Sequence, residues 1–147
     1  MVTGISPRLQ AVLDALPVGP ASRVLEIGCG PGVAARAVAE RLSTGHVLAT
    51  DRSPAAIAQA GAGSAAEIAT GRMSVRCVAA EDLVLEDGEE PYDLVFAIRV
   101  GALDGRHPRA GVLALQRIAA ATTPDARLFV DGGDPLREIV IPRGERS

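Results

Sequence analysis

The sequence predicts an α/β protein, a doubly wound, mostly parallel sheet with helices on both faces and a shortened hairpin region at its C-terminal end. Three observations predict it. Strand-like apolar runs alternate with helical patterns five times along the chain. Those runs are continuously apolar rather than alternating, as expected of strands covered on both faces. A glycine-rich turn, Gly28, Gly30 and Gly32, follows the first run directly, where open α/β sheets hold their ligands.

Ser6 followed by Pro7 reads as a helix start, with a capping hydroxyl and a proline at the first helical position. Leu9, Val12, Leu13 and Leu16 recur at helical spacing until "PVGP" stops the pattern. Residues 23 to 28 predict a strand, 32 to 43 a helix ended by "STG", and 46 to 51 a second strand. Ser53 and Pro54 start another helix running to about Ala69, weakened by Gly61 and Gly63. "MSVRCVA", "YDLVFAI" and "ARLFVDG" are the third, fourth and fifth strands. "AGVLALQRIAAATT" is helical, with Val112, Leu115 and Ile118 on one face. The tail "LREIVIPRGERS" has room for one short edge strand, limited by Pro142. No repeat or linker divides the chain, so residues 1–147 are expected to form a single domain.

Composition narrows the function. The chain is 48% hydrophobic and 22% charged, the balance of a soluble globular protein. No apolar run approaches the ~20 residues of a membrane span, and "MVTGISPRLQ" lacks a signal-peptide pattern, so a cytoplasmic protein without a membrane partner is expected. A net charge of −3 offers no electrostatic footprint for nucleic acid, and Tyr92, Phe96 and Phe129 are too few aromatics for a base-stacking surface. Cys29 and Cys77 are too few and too badly spaced for zinc, and no other metal site is expected. Cys77, in an apolar strand, reads as a small core residue, and Cys29 as a compact filler of the glycine loop. His46, beside "STG", reads as a surface turn residue.

The stretch "VLEIGCGPG" raises the question of what approaches three glycines beside an acid, Glu26. A dinucleotide loop prefers G-x-G-x-x-G, whereas the spacing here is G-x-G-x-G with Val33 next. A phosphate-cradling G-x-x-x-x-G-K-[ST] has no match in a chain without lysine. A carboxylate at Glu26 would repel a pyrophosphate and favour an ammonium or a sulfonium. Asp51, 19 residues beyond Gly32 at the end of the second strand, has two readings: an acceptor for both hydroxyls of a ribose, or a cap for the helix beginning at Ser53.

"VLEIGCGPG", "TDRSPAAI", "CVAAEDL" and "YDLVFAI", in that order, resemble the class I S-adenosylmethionine-dependent methyltransferase family over roughly residues 20 to 131. The resemblance implies a Rossmann-like fold and S-adenosyl-L-methionine as cofactor. It implies that Gly28, Cys29, Gly30 and Gly32 admit the methionine part of the cofactor near Glu26, that Asp51 holds the ribose, and that Arg52 flanks the adenine. Many relatives carry an acid where this chain has Ala79, which leaves the backbone N–H of Ala80 or Glu81 and the carboxylates of Glu81 and Asp82 as adenine contacts. The alternative for Glu81 and Asp82 is a solvated acidic loop.

The acceptor site is expected after the fourth strand, in "RVGALDGRHPRAG". Arg99, which the resemblance also places at the cofactor, could bind an acidic substrate. His107 could act as a base, with Asp104 and Arg106 beside it; Asp104-Gly105 also reads as a turn and His107-Pro108 as a helix start. No D/N-P-P-[YF] element, by which many amino-group nucleic-acid and protein-glutamine methyltransferases are recognised, follows the fourth strand, which points to a small-molecule acceptor or to a site not readable from the sequence. The family's sheet usually ends in an antiparallel hairpin, for which only residues near 136 to 142 remain. The edge beyond strand five must then be covered, and homodimerisation is one way to do it. Two other functions stand beside the methyltransferase. One is a non-catalytic cofactor-binding or partner-binding protein on the same fold. The other is a nicotinamide-dependent oxidoreductase, disfavoured by the glycine spacing and Glu26.

Overall fold

The structure is a computed structural model that describes residues 5–103 and 105–144. The chain runs α1 (Pro7–Ala15), β1 (Arg23–Ile27), α2 (Val33–Glu40), β2 (His46–Asp51), α3 (Pro54–Gly63), α4 (Ala65–Ala69), β3 (Met73–Cys77), a 3-10 turn (Ala80–Asp82), β4 (Tyr92–Ala97), α5 (Pro108–Ala120), β5 (Thr122–Asp131) and β6 (Leu136–Ile139). The strands form one sheet in the order β3-β2-β1-β4-β5-β6. Only β6 runs antiparallel, pairing with β5. The edge of β5 is therefore covered by the chain's own tail.

Local chemistry explains where the helices start. Ser6 caps α1 by accepting the Leu9 N–H at 3.1 Å, and Ser53 caps α3 by accepting the Ala56 N–H at 3.2 Å. Each is followed by a proline, whose missing N–H costs nothing in a first turn. The helices flank the sheet on both sides. On one, α1, α2 and α3 pack Leu13, Leu16, Ala35, Val38 and Ala60 onto Val24, Val47, Ala49 and Phe96. On the other, α5 and the 3-10 turn pack Ala114, Ile118 and Ala80 onto Leu25, Leu48, Val95 and Leu128. Full burial of each such Leu, Val or Ile side chain stabilises the fold by about 1.5–3 kcal/mol.

Several sequence expectations are corrected. The helix expected from Ser53 to Ala69 breaks at Ser64, whose backbone leaves the helical region at φ −117°, ψ 22°. Ser64 is fully buried and its hydroxyl accepts from Arg36 at 3.0 Å, so a tertiary contact fixes the break. Val112 does not share the buried face of α5. It is 59% exposed, and Gly111, Ala114 and Ile118 face the core instead. Cys77 is exposed rather than in the core, because β3 is an edge strand. His46 is no turn residue: it begins β2 half-buried, with Nδ1 2.8 Å from the Gly71 carbonyl and Nε2 2.8 Å from Ser74 Oγ. β5 begins at Thr122, four residues before the expected start, with a register shift against β4 between Tyr92 and Leu94. Among the described residues no helix is long and apolar enough to cross a membrane.

Candidate functional site

Strand order reverses between β1 and β4, since β1 leads outward to β2 and β4 outward to β5. A crevice opens beyond the carboxyl ends of strands at such a point. The loop leaving β1 fills its near side. Cys29 N–H donates to the Thr50 carbonyl at 2.8 Å and Gly32 N–H to the Cys29 carbonyl at 3.0 Å, folding the loop into the turn that opens α2. Gly28 has φ +74°, and a Cβ there would lie 2.6 Å from Val100 Cγ2. Only glycine meets both demands, so this glycine is required by the loop after β4 as well as by any ligand.

Glu26, in the middle of β1, is 3% exposed, and its Oε1 has no hydrogen-bond partner. Burial, and then the nearby Asp51 charge, push its carboxyl up from 4.5 to about 8. The same causes, burial first and then Glu26 and Asp51, push the Cys29 thiol up to about 12. Cys29 is therefore a neutral, buried filler. Asp51 closes β2: its Oδ2 accepts the Gly30 N–H at 2.9 Å and its Oδ1 the Ser53 N–H at 2.9 Å. The cap of α3 is Ser53 itself, so Asp51 ties the glycine loop to the end of β2. Each of its oxygens keeps a second lone pair for a ligand.

A cavity of about 460 Å³ lies above these groups, within the range of small-ligand sites. Ile27, Gly28, Asp51 and Arg52 line one side, Val78 to Glu81 a second, and Arg99 to Ala102 with Arg106, His107 and Ala110 a third. The cavity thus brings together Gly28, Asp51, Arg52, Ala80, Glu81, Arg99 and His107. As the first residues of the 3-10 turn, Ala80 and Glu81 have no acceptor within it for their N–H groups. Glu26, Cys29, Gly30 and Gly32 do not line the cavity. Asp82 is exposed and does not line it either. Asp104 lies outside the described residues.

The third wall is shaped by contacts the sequence does not announce. Arg99 has a left-handed backbone, φ 59°, and its N–H donates to Asp131 Oδ1 at 3.0 Å. Arg106 Nη2 donates to the Arg99 carbonyl at 3.2 Å, and the His107 N–H to the Gly101 carbonyl at 3.1 Å. His107 is the N-cap residue of α5, but its side chain makes no capping bond and instead faces the cavity wall. α5 approaches so closely that a Cβ on Gly111 would lie 2.4 Å from the Ala102 carbonyl oxygen. Val78 lines the cavity without having been expected, and Val100, Gly101, Ala102 and Ala110 line it from the segment expected to hold the acceptor, though none was singled out there. They are small or apolar, and the one available signal was their adjacency to residues that were.

A family model described as a methyltransferase domain matches residues 24–125, and the chain belongs to that family. It is 37% identical over 89 residues to a trans-aconitate 2-methyltransferase of Streptomyces avermitilis, a match covering 60% of this chain and 32% of that protein. The chain therefore spans about a third of the length of that relative. Among solved structures it is similar to coclaurine N-methyltransferase bound to N-methylheliamine and SAH, at 22% identity and a TM-score of 0.67, covering 82% of this chain and 34% of that one. It is also similar to the [4+2]-cyclase SpnF, at 22% identity and a TM-score of 0.68, covering 84% and 43%. These two likenesses concern the fold.

Proposed function

We propose that the chain binds S-adenosylmethionine in the cavity beside the glycine loop and transfers its methyl group to a small-molecule acceptor. The observation that carries this reading is Glu26 Oε1, a buried acceptor without a donor, beneath a loop at the strand-order reversal. A buried carboxyl oxygen without a donor costs free energy, and a ligand ammonium brought against it would remove that cost and favour the ionised form. A dinucleotide pyrophosphate has no donor to offer it.

The residues fit the group. In this reading Asp51 takes the ribose hydroxyls, the Ala80 and Glu81 N–H groups and the Glu81 carboxylate the adenine edge, and Arg52 the adenine face, where a guanidinium can stack; their common lining of one cavity supports it. When bound, S-adenosylmethionine supplies an electrophilic methyl group on a sulfonium. The protein's share is then positioning, which can lower a barrier by ~7–11 kcal/mol. The relative's name, a methyltransferase of trans-aconitate, supports a small organic acceptor. Two free thiols support a reducing, cytoplasmic setting. Binding of the cofactor without methyl transfer is the second reading, favoured by the presence of this fold in a protein described as a cyclase.

Calorimetric titration with S-adenosylmethionine, S-adenosylhomocysteine and NAD tests the cofactor. The first two are expected to bind and NAD is not. Asp51→Ala is expected to weaken S-adenosylhomocysteine at least 100-fold, and an unchanged affinity would remove the pocket assignment. Incubation with labelled S-adenosylmethionine and a panel of small organic acceptors separates methyl transfer from binding alone.

A further inference from the structure

A second cavity, of about 240 Å³, lies between α1 and the carboxyl ends of β4 and β5. Leu9, Val12 and Ile98 give it apolar walls, and Arg8, Arg99 and Asp131 give it charge. Arg99 is common to this cavity and the larger one. The two spaces therefore meet across a single residue whose left-handed backbone is held by Asp131.

Asp131 organises the charge. Its side chain is 11% exposed, one oxygen accepts the Arg99 N–H at 3.0 Å, and the other faces the Arg8 guanidinium at 3.7 Å. At 3.7 Å that contact is coulombic and too long for a hydrogen bond, so it leaves the donors of Arg8, which is 67% exposed, directed by charge but not engaged by Asp131. Two arginines and one aspartate are the charged residues that line the cavity, so its formal charge is positive. Guanidinium forks match carboxylates in geometry as well as charge.

We propose that this second cavity is the acceptor subsite, and that it takes a small organic acid whose carboxylate is held by Arg8 and Arg99. The inference rests on the cofactor occupying the larger cavity. A cavity of this size admits a small acid, with its carbon chain against Leu9, Val12 and Ile98. A carboxylate is already ionised at neutral pH, so the subsite needs no base to prepare it and only has to hold it.

The test uses succinate and citrate as probes, with the uncharged succinamide as control. An S-adenosylhomocysteine titration comes first: if it shows no binding, the cofactor reading falls, while the acid titration still decides whether the arginines hold a carboxylate. The acids are then added to isotope-labelled protein saturated with S-adenosylhomocysteine. The amide signals of Arg8, Leu9, Arg99 and Asp131 are expected to shift with an acid and not with succinamide. Arg8→Gln is expected to weaken the acid at least tenfold, Arg8→Lys to retain most of its affinity, and both to keep S-adenosylhomocysteine affinity within twofold. Shifts confined to residues 101–107, an Arg8→Gln variant binding as tightly as wild type, or equal binding of succinamide would each overturn the proposal.

Discussion

At the amino-terminal edge of the sheet, Arg23 donates to the Glu90 and Pro91 carbonyls at 2.9 and 3.2 Å and lies over the Tyr92 ring at 4.8 Å. At the carboxyl-terminal edge, Glu26 Oε1 has no donor. The contrast extends across both edges. Arg72 donates to the Ser43 and Gly45 carbonyls, Arg76 meets Glu86 and Glu89, and the Tyr92 hydroxyl donates to Glu89. Arg76 Nη1 is the one buried side-chain atom without a partner there among the described residues. At the other edge lie the left-handed Arg99, the glycine turn and both cavities that share Arg99.

Two glutamates measure the difference. Burial raises Glu89, but hydrogen bonds from Tyr92 and Arg76 outweigh it and hold its carboxyl below the usual range. Burial raises Glu26, and nothing opposes it. One edge holds most of its charged groups in internal hydrogen bonds and ion pairs, while the other keeps a buried carboxyl oxygen without a donor. Internally paired groups and the cavity-lining groups thus occupy opposite ends of the same strands.

Glu26→Gln gives the largest expected effect. Because folding raises the Glu26 pKa from 4.5 to about 8, the protonated group's stabilisation is fully present below pH 4.5 and lost as pH rises through 8. From pH 5 to 8.5 the free wild type should lose on the order of 4 kcal/mol relative to Glu26→Gln, read by urea unfolding of both. Ligand affinity should run the other way. The ligand's ammonium needs the ionised carboxylate, so wild-type affinity for S-adenosylhomocysteine should rise towards pH 8, and the variant should bind weakly without that slope. Identical pH profiles for the two proteins would erase the contrast between the edges.

Gly28→Ala should cost about 2–3 kcal/mol, because it forces a side chain into a left-handed backbone and onto Val100. Val100→Ala in the same chain should return part of that loss, since it removes the collision but not the backbone strain. Full recovery would mean that the conformation itself costs nothing. Tyr92→Phe should have the smallest effect: about 1 kcal/mol of stability, from one lost hydrogen bond, with no change in S-adenosylhomocysteine affinity. A weakened ligand would show that the two edges are coupled.

Part of the larger cavity's lining was legible in the sequence because its parts are local. Gly28, Asp51 at a strand end and Ala80 and Glu81 of the "AED" turn each lie within a few consecutive residues, and the parallel sheet brings all strand ends to one edge, whereas Gly30, Gly32 and Asp82 fall outside the lining. The same locality made the caps at Ser6 and Ser53 readable. The errors at Ser64, Val112, Cys77 and His46 share one cause. Each depends on a partner far away in sequence: Arg36 for Ser64, the turn of α5 against the sheet for Val112, the missing neighbour of an edge strand for Cys77, and Gly71 and Ser74 for His46.

By itself, then, the sequence determined the alternation of elements, the glycine turn and the acids beside it, because periodicity, capping and backbone freedom act over a few residues. The tertiary structure alone decided that Glu26 is buried without a donor, that Arg99 turns left-handed against Asp131, and that Arg8 meets Asp131 across more than 120 residues of chain. Burial and long-range charge depend on where distant segments pack, and packing has no local signature.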